Sequence, residues 1–502
     1  MANKACNEVV TVANMPMTVF DMISAMQNKY ADRVAFRYVE GKDTVVEKTY
    51  AQYVQDIRKA TGYLQQELGE PKGKKIVILS RTNYEYGAVV FGTMMAGAVI
   101  VTLNQGKTWA ELEHELDMVE PDLIFNDGID YGCRAQLEAL YGARLRPMDA
   151  WTAAPEAEMV NRIDHEGLLM LMFTSGTTGR SKGVMLSEKN YFTACQMYID
   201  GLKSVLDHEE RLVPQYLDQT FSHFTLVPMF HLAGFICYFV YGVQGWTLNL
   251  CCDARDLRRD MSLMHSDAMS TPPVLVEMIC NEVKRGHADR LNGLWNLSCS
   301  SAILDPAILS DLVKNGFYIN QCYSMTELAG YGLLNVTQEG DHLRALGKPD
   351  GFCEVKVGET GEICVRGGCV MLGYYKDPEA TAETIDKDGW LHTGDLARVD
   401  EEGYYYMTGR KKNLIILDSG ENVSPEELEK LLGKCDAIKE CIVKEMGKKI
   451  GTVVCCEDDR QQQVKAFVTE LNRTLPMYKR ISVVECSAEP LPRNALGKLL
   501  RK

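Results

Sequence analysis

No stretch of this sequence stays apolar for the ~20 residues that a membrane-spanning helix needs. The longest run, residues 88–103, is interrupted by Gly92, Thr93, Gly97 and Thr102, and is expected in a buried core. Residues 1–12 lack a basic stretch followed by an apolar one, so no secretory signal is expected there. Metal-ligand spacing is missing too. The nine histidines include no i, i+4 pair, and the 17 cysteines, spread from Cys6 to Cys486, include no C-x-x-C. Buried thiols in a reducing cytoplasm are the expectation. Basic charge is in deficit: 54 Lys and Arg face 69 Asp and Glu, a net charge of −15. Nucleic-acid binding, which draws on basic surface, is therefore not expected. Only 16 of 502 residues are proline, while 46% are apolar and 25% charged, a balance that excludes disordered and collagen-like chains. Single hydrophobic cores stop growing at roughly 250 to 300 residues, so two or more packed units are expected.

What is present begins with alternating helix and strand periodicity. Residues 18–30 and 50–68 carry helical spacing, and residues 34–39 read as a short strand. Residues 75–79, 83–96 and 99–103 then read as strand, helix and strand, a βαβ unit with a parallel sheet. A charged helix over 109–119 leads to another strand at 123–126. From about Leu346 to Thr408 the chain is rich in glycine and turns such as Asp388-Gly389 and Glu402-Gly403, which predicts a small antiparallel or barrel-like element. Beyond it, Ser424-Pro425-Glu426-Glu427 opens a helix with serine as cap and proline in the first turn. Strands at 440–444, 453–456 and 481–486 and a helix at 463–475 complete a small α+β unit.

The chemistry concentrates where the apolar strand 168–173 runs into Thr174-Ser175-Gly176-Thr177-Thr178-Gly179-Arg180-Ser181-Lys182-Gly183. Glycines let backbone N–H groups converge on phosphate oxygens, hydroxyls donate further bonds, and Lys182 adds charge. The Walker spacing is not met: Gly106-Lys107-Thr108 imitates its end, but Val101 stands where the first glycine belongs. Taken alone, the segment could also be an ordinary glycine-threonine loop.

That segment resembles the signature of the adenylate-forming superfamily, which includes acyl-CoA synthetases, luciferases and peptide-synthetase adenylation domains. The resemblance extends in order to Tyr323-Ser324-Met325-Thr326-Glu327, Gly389-Trp390-Leu391-His392-Thr393-Gly394-Asp395, Gly403-Tyr404-Tyr405-Tyr406-Met407-Thr408-Gly409-Arg410 and Pro492-Arg493-Asn494-Ala495-Leu496-Gly497-Lys498. It covers essentially the whole chain and looks closest to bacterial fatty acid-CoA ligases. It implies an α/β fold: a large N-terminal domain (1–411) of two α/β subdomains plus a small β-barrel, and a separate small mobile α+β C-terminal domain (412–502).

The resemblance also implies roles. ATP would be held by Thr174, Ser175, Gly176, Thr177, Thr178 and Lys182, with Tyr323 stacked on adenine and Asp395, accompanied by Arg410, on the ribose hydroxyls. Thr326 and Glu327 would sit at the α-phosphate, Glu327 holding Mg²⁺. Lys498 would bridge the substrate carboxylate and the α-phosphate, a point charge matched to charge that builds in the transition state. Lys412 matches the hinge, and Gly420 the pantetheine path. Lys444, Lys448 and Lys449 could meet a coenzyme A phosphate or form an ordinary solvated face.

Val227-Pro228-Met229-Phe230-His231-Leu232-Ala233-Gly234 resembles the motif that sets an aromatic side chain beside the acyl pocket. Amino-acid adenylation domains carry aspartate where His231 stands, so an α-amino acid is disfavoured. The acyl slot departs from the family: Ser300-Ser301-Ala302 replaces two glycines and alanine, and Cys322-Tyr323-Ser324 replaces Gly-Tyr-Gly. The added atoms are expected to narrow or shorten the path of an alkyl chain. The expected reaction is ATP- and Mg²⁺-dependent activation of a carboxylic acid, a fatty acid foremost, and transfer to the thiol of coenzyme A. The alternatives are an acyl-AMP ligase loading a phosphopantetheine carrier protein, an aryl or other acid-CoA ligase, and a nonenzymatic nucleotide-binding scaffold.

Overall fold

Apolar strands flanked by capped helices build the first sheet as their periodicity predicts. The computed structural model describes residues 10–174, 181–208, 221–300, 304–416, 422–447, 449–493 and 499–500, without the side chains of 203–208, 416 and 422. Strands Lys75–Leu79, Val99–Thr102 and Leu123–Asn126 are buried along nearly their whole length, as strands covered on both faces must be. They pair in parallel with one another and with Leu145–Pro147 and Met170–Thr174. Lys182–Leu186 and Gly373–Tyr374 close that seven-stranded sheet in antiparallel fashion. Thr49 forms a capping box with Gln52 ahead of helix Tyr50–Leu68, and Asn83 accepts from the Tyr86 N–H ahead of helix Tyr84–Met95. The long apolar run is thus the end of one buried helix and the strand after it. Among the described residues, no helix is long and apolar enough to cross a membrane.

A second, eight-stranded sheet runs in the order Gly332–Asn335, Tyr318–Ser324, Asn296–Ser300, Ala268–Thr271, Ser222–Thr225, Thr247–Leu250, Val34–Glu40 and Thr44–Thr49. Its inner strands are parallel and its two edge strands antiparallel. Helices connect both sheets through aromatic packing. Phe36 of the second sheet meets Tyr53, Tyr84 and Tyr238 at ring-centroid distances of 4.7, 5.6 and 6.1 Å. Tyr191, stacked on Phe239 at 4.8 Å, donates to the Met170 sulfur of the first sheet. Such pairs add about 0.5–1.5 kcal/mol each beyond the area they bury.

The chain divides into two compact units, residues 1–354 with 365–391, and residues 355–364 with 392–502. Both large sheets lie in the first. The four-stranded sheet of Glu354–Val357, Glu362–Arg366, Leu391–Val399 and Tyr405–Arg410 falls mostly in the second, and so do residues 411 and 412, where the sequence resemblance sets the domain boundary. The second unit also holds a three-stranded sheet. Strand Lys449–Cys455 starts earlier than its apolar run because Met446 pairs with Lys449 across a hairpin, and it pairs in parallel with Val483–Ser487. Leu428 and Leu432 of helix Pro425–Leu432 and Val468 of helix Gln461–Thr474 pack on Val443 and Ile450 of this sheet.

Candidate active site

In the first unit, Thr174 and Lys182 are partners across the antiparallel pair that joins Met170–Thr174 to Lys182–Leu186. Ser175, Gly176, Thr177 and Thr178 lie outside the described residues. Lys182 extends its Nζ over the Tyr374 ring, 4.6 Å from the centroid. The Tyr374 hydroxyl donates to Glu327 Oε1 at 3.0 Å. One tyrosine thus carries a cation on its face and a carboxylate at its tip. Burial, followed by the Glu327 charge, holds the Tyr374 phenol above its ordinary pKa, so it stays a donor. Tyr374 belongs to the edge strand paired with Val184, which fixes its place relative to Lys182.

Glu327 sits in the short turn Thr326–Leu328 that follows strand Tyr318–Ser324. Its carbonyl accepts from Met371 N–H at 2.9 Å, so the backbone is tied down independently of the side chain. Tyr323 pairs with Leu333, and Ser324 with Gly332, across an antiparallel edge. A Cβ at Gly332 would overlap the Tyr323 carbonyl oxygen, so only glycine permits this approach. His231 caps helix Leu232–Gln244, its Nδ1 accepting from Ala233 N–H at 3.2 Å.

Beyond Ser324 a cavity of about 830 Å³, mouth included, runs between the second sheet and two helices. Ser300, Cys322 and Ser324 line it, whereas Ser301 and Ala302 lie outside the described residues. The cavity continues past them to Asn296, Asn320 and Phe221. The added atoms at Ser300, Cys322 and Ser324 therefore flank the passage and do not end it. Successive inward positions of a strand lie ~7 Å apart, so the cavity's course is set by residues that no local motif marks.

In the second unit, Asp395 and Arg410 occupy directly opposed positions of strands Leu391–Val399 and Tyr405–Arg410. Arg410 Nε lies 2.9 Å from Asp395 Oδ1. Glu362, 4% exposed at its side chain, orders the preceding turn. It accepts from Gly394 N–H at 2.8 Å and lies 3.0 Å from Lys411 Nζ and 3.2 Å from His392 Nδ1. Burial pushes the Glu362 carboxyl up, but Lys411, the Gly394 N–H and His392 together hold it below its usual range. A carboxyl with a depressed folded pKa contributes stability above its unfolded pKa and loses it as pH falls through the folded value. Glu362→Ala is expected to destabilise the C-terminal unit by about 1–3 kcal/mol at neutral pH, with the deficit closing in acid. Denaturant melts at several pH values check this; a pH-independent deficit would contradict it. Lys412 lies in the short turn Lys411–Asn413. Gly420 and Lys498 lie outside the described residues, as does Lys448.

The family model of AMP-binding enzymes matches residues 24–375. The chain belongs to this family. Among curated relatives, the long-chain-fatty-acid–CoA ligase of Escherichia coli O157:H7 is 27% identical, over 97% of this chain and 93% of the relative. The peroxisomal OPC-8:0-CoA ligase 1 of Arabidopsis thaliana is 28% identical, over 87% of this chain and 84% of its own. In fold, the chain is similar to o-succinylbenzoate CoA synthetase from Bacillus subtilis in complex with its acyl-adenylate intermediate, with a TM-score of 0.79, 23% identity and 96% of each chain covered. MatB from Rhodopseudomonas palustris bound to ATP superposes with a TM-score of 0.80 at 23% identity, 97% of each chain covered.

For an AMP-binding enzyme, two site residues had escaped sequence reasoning. Tyr374 follows Gly373 in an unremarkable Gly-Tyr-Tyr stretch, and nothing local marks it. Glu362 did leave a trace, since it directly precedes the apolar run Ile363-Cys364-Val365 of strand Glu362–Arg366, where a buried acid demands partners. The donor set near the turn Thr326–Leu328 suits a hard divalent cation, which prefers oxygen. Among the described residues no cluster of three or more His, Cys, Asp or Glu could hold a metal ion. Magnesium at Glu327 would thus need phosphate oxygens as further ligands, as a metal delivered with a nucleotide has.

Proposed function

We propose that this enzyme activates a carboxylic acid, foremost a fatty acid, with ATP and passes the acyl group to coenzyme A. The substrate carboxylate oxygen attacks the α-phosphorus and pyrophosphate leaves; the thiol then attacks the acyl carbon and AMP leaves. The meeting of Lys182 and Glu327 on Tyr374 carries this reading, because it sets a cation and a metal-binding carboxylate beside each other. Two like charges at about 4 Å repel by ~4 kcal/mol at an effective dielectric near 20, so an acid and a triphosphate need such groups to approach. When bound, Mg²⁺ supplies charge neutralisation at the phosphate oxygens. Thr174 and Lys182 hold the phosphates, Thr326 and Glu327 the α-phosphate and metal, and Tyr323 the adenine. In the second unit Asp395, positioned by Arg410 and the Glu362 cluster, takes the ribose hydroxyls. His231, whose ring is fixed by its capping bond, borders the acyl site. Gly420 gives the pantetheine arm room, and the reaction belongs to the cytoplasm.

Pyrophosphate release over a panel of carboxylic acids, with coenzyme A and a phosphopantetheine carrier protein as alternative acceptors, tests the assignment. Release with fatty acids and thioester formation with coenzyme A is the expected result; no release with any acid would refute it, and thioester on the carrier alone would change the acceptor. Lys412 is the proposed hinge. Fixing its φ near roughly −65° by Lys412→Pro is expected to spare adenylation and depress thioester formation, because a few residues absorb the backbone change of such a rotation. Parental rates in both half-reactions would remove the hinge assignment.

A further inference from the structure

The sheet wall of the acyl cavity is polar nearly throughout. Its inward positions include Ser270, Asn296, Ser298, Ser300, Asn320 and Ser324, with Ala268 and Cys322 beside them. The opposite wall, from helix Leu232–Gln244, presents Ile236 and Val240. A saturated chain fits the second wall and offers the first no hydrogen bond, although Asn320 already donates to Asn296 across it at 3.3 Å.

At the inner end, His223 and Tyr241 show what kind of partner is missing. The His223 Nε2 accepts the Ser270 peptide N–H at 3.2 Å. A peptide N–H only donates, so Nε2 carries a lone pair. Burial lowers the His223 pKa to about 3, so the ring is neutral and its one proton sits on Nδ1. Nδ1 lies 2.7 Å from the Tyr241 hydroxyl oxygen and must donate to it. That leaves the tyrosine's own proton. Burial keeps the Tyr241 phenol protonated, and among the described residues no acceptor takes this proton. Both residues line the cavity, which contains no charged side chain among those described.

We propose that Tyr241, oriented by His223, donates a hydrogen bond to a neutral oxygen, a ketone or hydroxyl, carried on the chain of the acid. The proposal rests on the acid-CoA ligase reading and deepens it: the substrate is an oxygenated aliphatic acid and not a plain saturated one. Strand register places the oxygen. His223 is level with Ala268, Ala268 with Asn296, and Asn296 with Tyr318, six residues before Ser324. At ~3.3 Å per residue, Tyr241 meets the chain about 20 Å from the Ser324 end, far from the carboxylate. Among the described lining residues, a second acid or an amine on the chain meets no countercharge.

The test uses the full-length enzyme, ATP, Mg²⁺ and coenzyme A, with saturated linear acids and their oxo and hydroxy counterparts of equal length, the oxygen being moved along the chain. The expected parent profile has one oxygen position, distal to the carboxylate, at which kcat/KM exceeds that of the saturated acid by about 10-fold or more. Tyr241→Phe should erase that advantage through KM, the ratio of oxygenated to saturated acid falling to about 1, with a denaturant melt showing that the variant folds. A flat profile in the parent, or equal losses for both acid types in Tyr241→Phe, overturns the proposal and leaves the ligase reading standing. Absence of pyrophosphate release with every acid overturns both.

Discussion

Lys498→Ala is expected to slow acyl-adenylate formation by about 10²-fold or more, while thiol attack on a supplied acyl-adenylate proceeds near the parental rate. As charge passes from the carboxylate to the α-phosphate oxygens, a flexible ammonium can follow and neutralise it. We propose, on the resemblance of residues 492–498 to the family motif, that Lys498 serves this first half-reaction alone. Pyrophosphate release and thioester formation, measured separately, separate the roles. Comparable losses in both half-reactions would show that Lys498 serves folding or domain placement and not the chemical step.

Glu327→Gln is expected to lower kcat/KM for adenylation by about 10²- to 10³-fold, the range found when one preorganised charge partner is removed, and to raise the Mg²⁺ concentration needed for half-maximal rate. The glutamine keeps an acceptor for the Tyr374 hydroxyl, and the Met371 N–H still holds the residue 327 carbonyl, so folding should be preserved. Tyr374→Phe serves as a companion. It keeps the ring under Lys182 and removes the hydroxyl, with its hydrogen bonds to Glu327 and Thr384, so a loss of about 10-fold is expected. Magnesium titrations of initial rate check both; a Glu327→Gln enzyme with parental rate and Mg²⁺ requirement would move the metal assignment elsewhere.

Much of the first unit was legible because its signals are local. Strand Lys75–Leu79, helix Tyr84–Met95 and strand Val99–Thr102 follow from apolar periodicity over a few residues, and Thr49 and Asn83 cap where short polar side chains precede helical runs. The small sheet was legible as glycine-punctuated turns but not in its allegiance. Its strands come from 354–366 and 391–410, and which unit they join depends on packing across long sequence separations. Glu362 shows the middle ground: its place beside an apolar run was visible, whereas its three partners, Gly394, Lys411 and His392, lie on another strand and the turn beyond.

Sequence by itself determined the element types, the phosphate-handling composition around Thr174 and Lys182, and the order of motifs that marks an AMP-binding enzyme. These rest on residues adjacent along the chain, where conformational preference and side-chain chemistry act over one or two turns. Tertiary structure alone decided that Lys182 and Glu327 share Tyr374, that the cavity beside Ser324 passes Ser300 and Cys322 to reach Asn296, and that the His223 proton faces Tyr241. Each depends on sheet register, since a one-residue slip turns every inward side chain outward, and on the one peptide N–H, that of Ser270, which settles where a buried histidine keeps its proton.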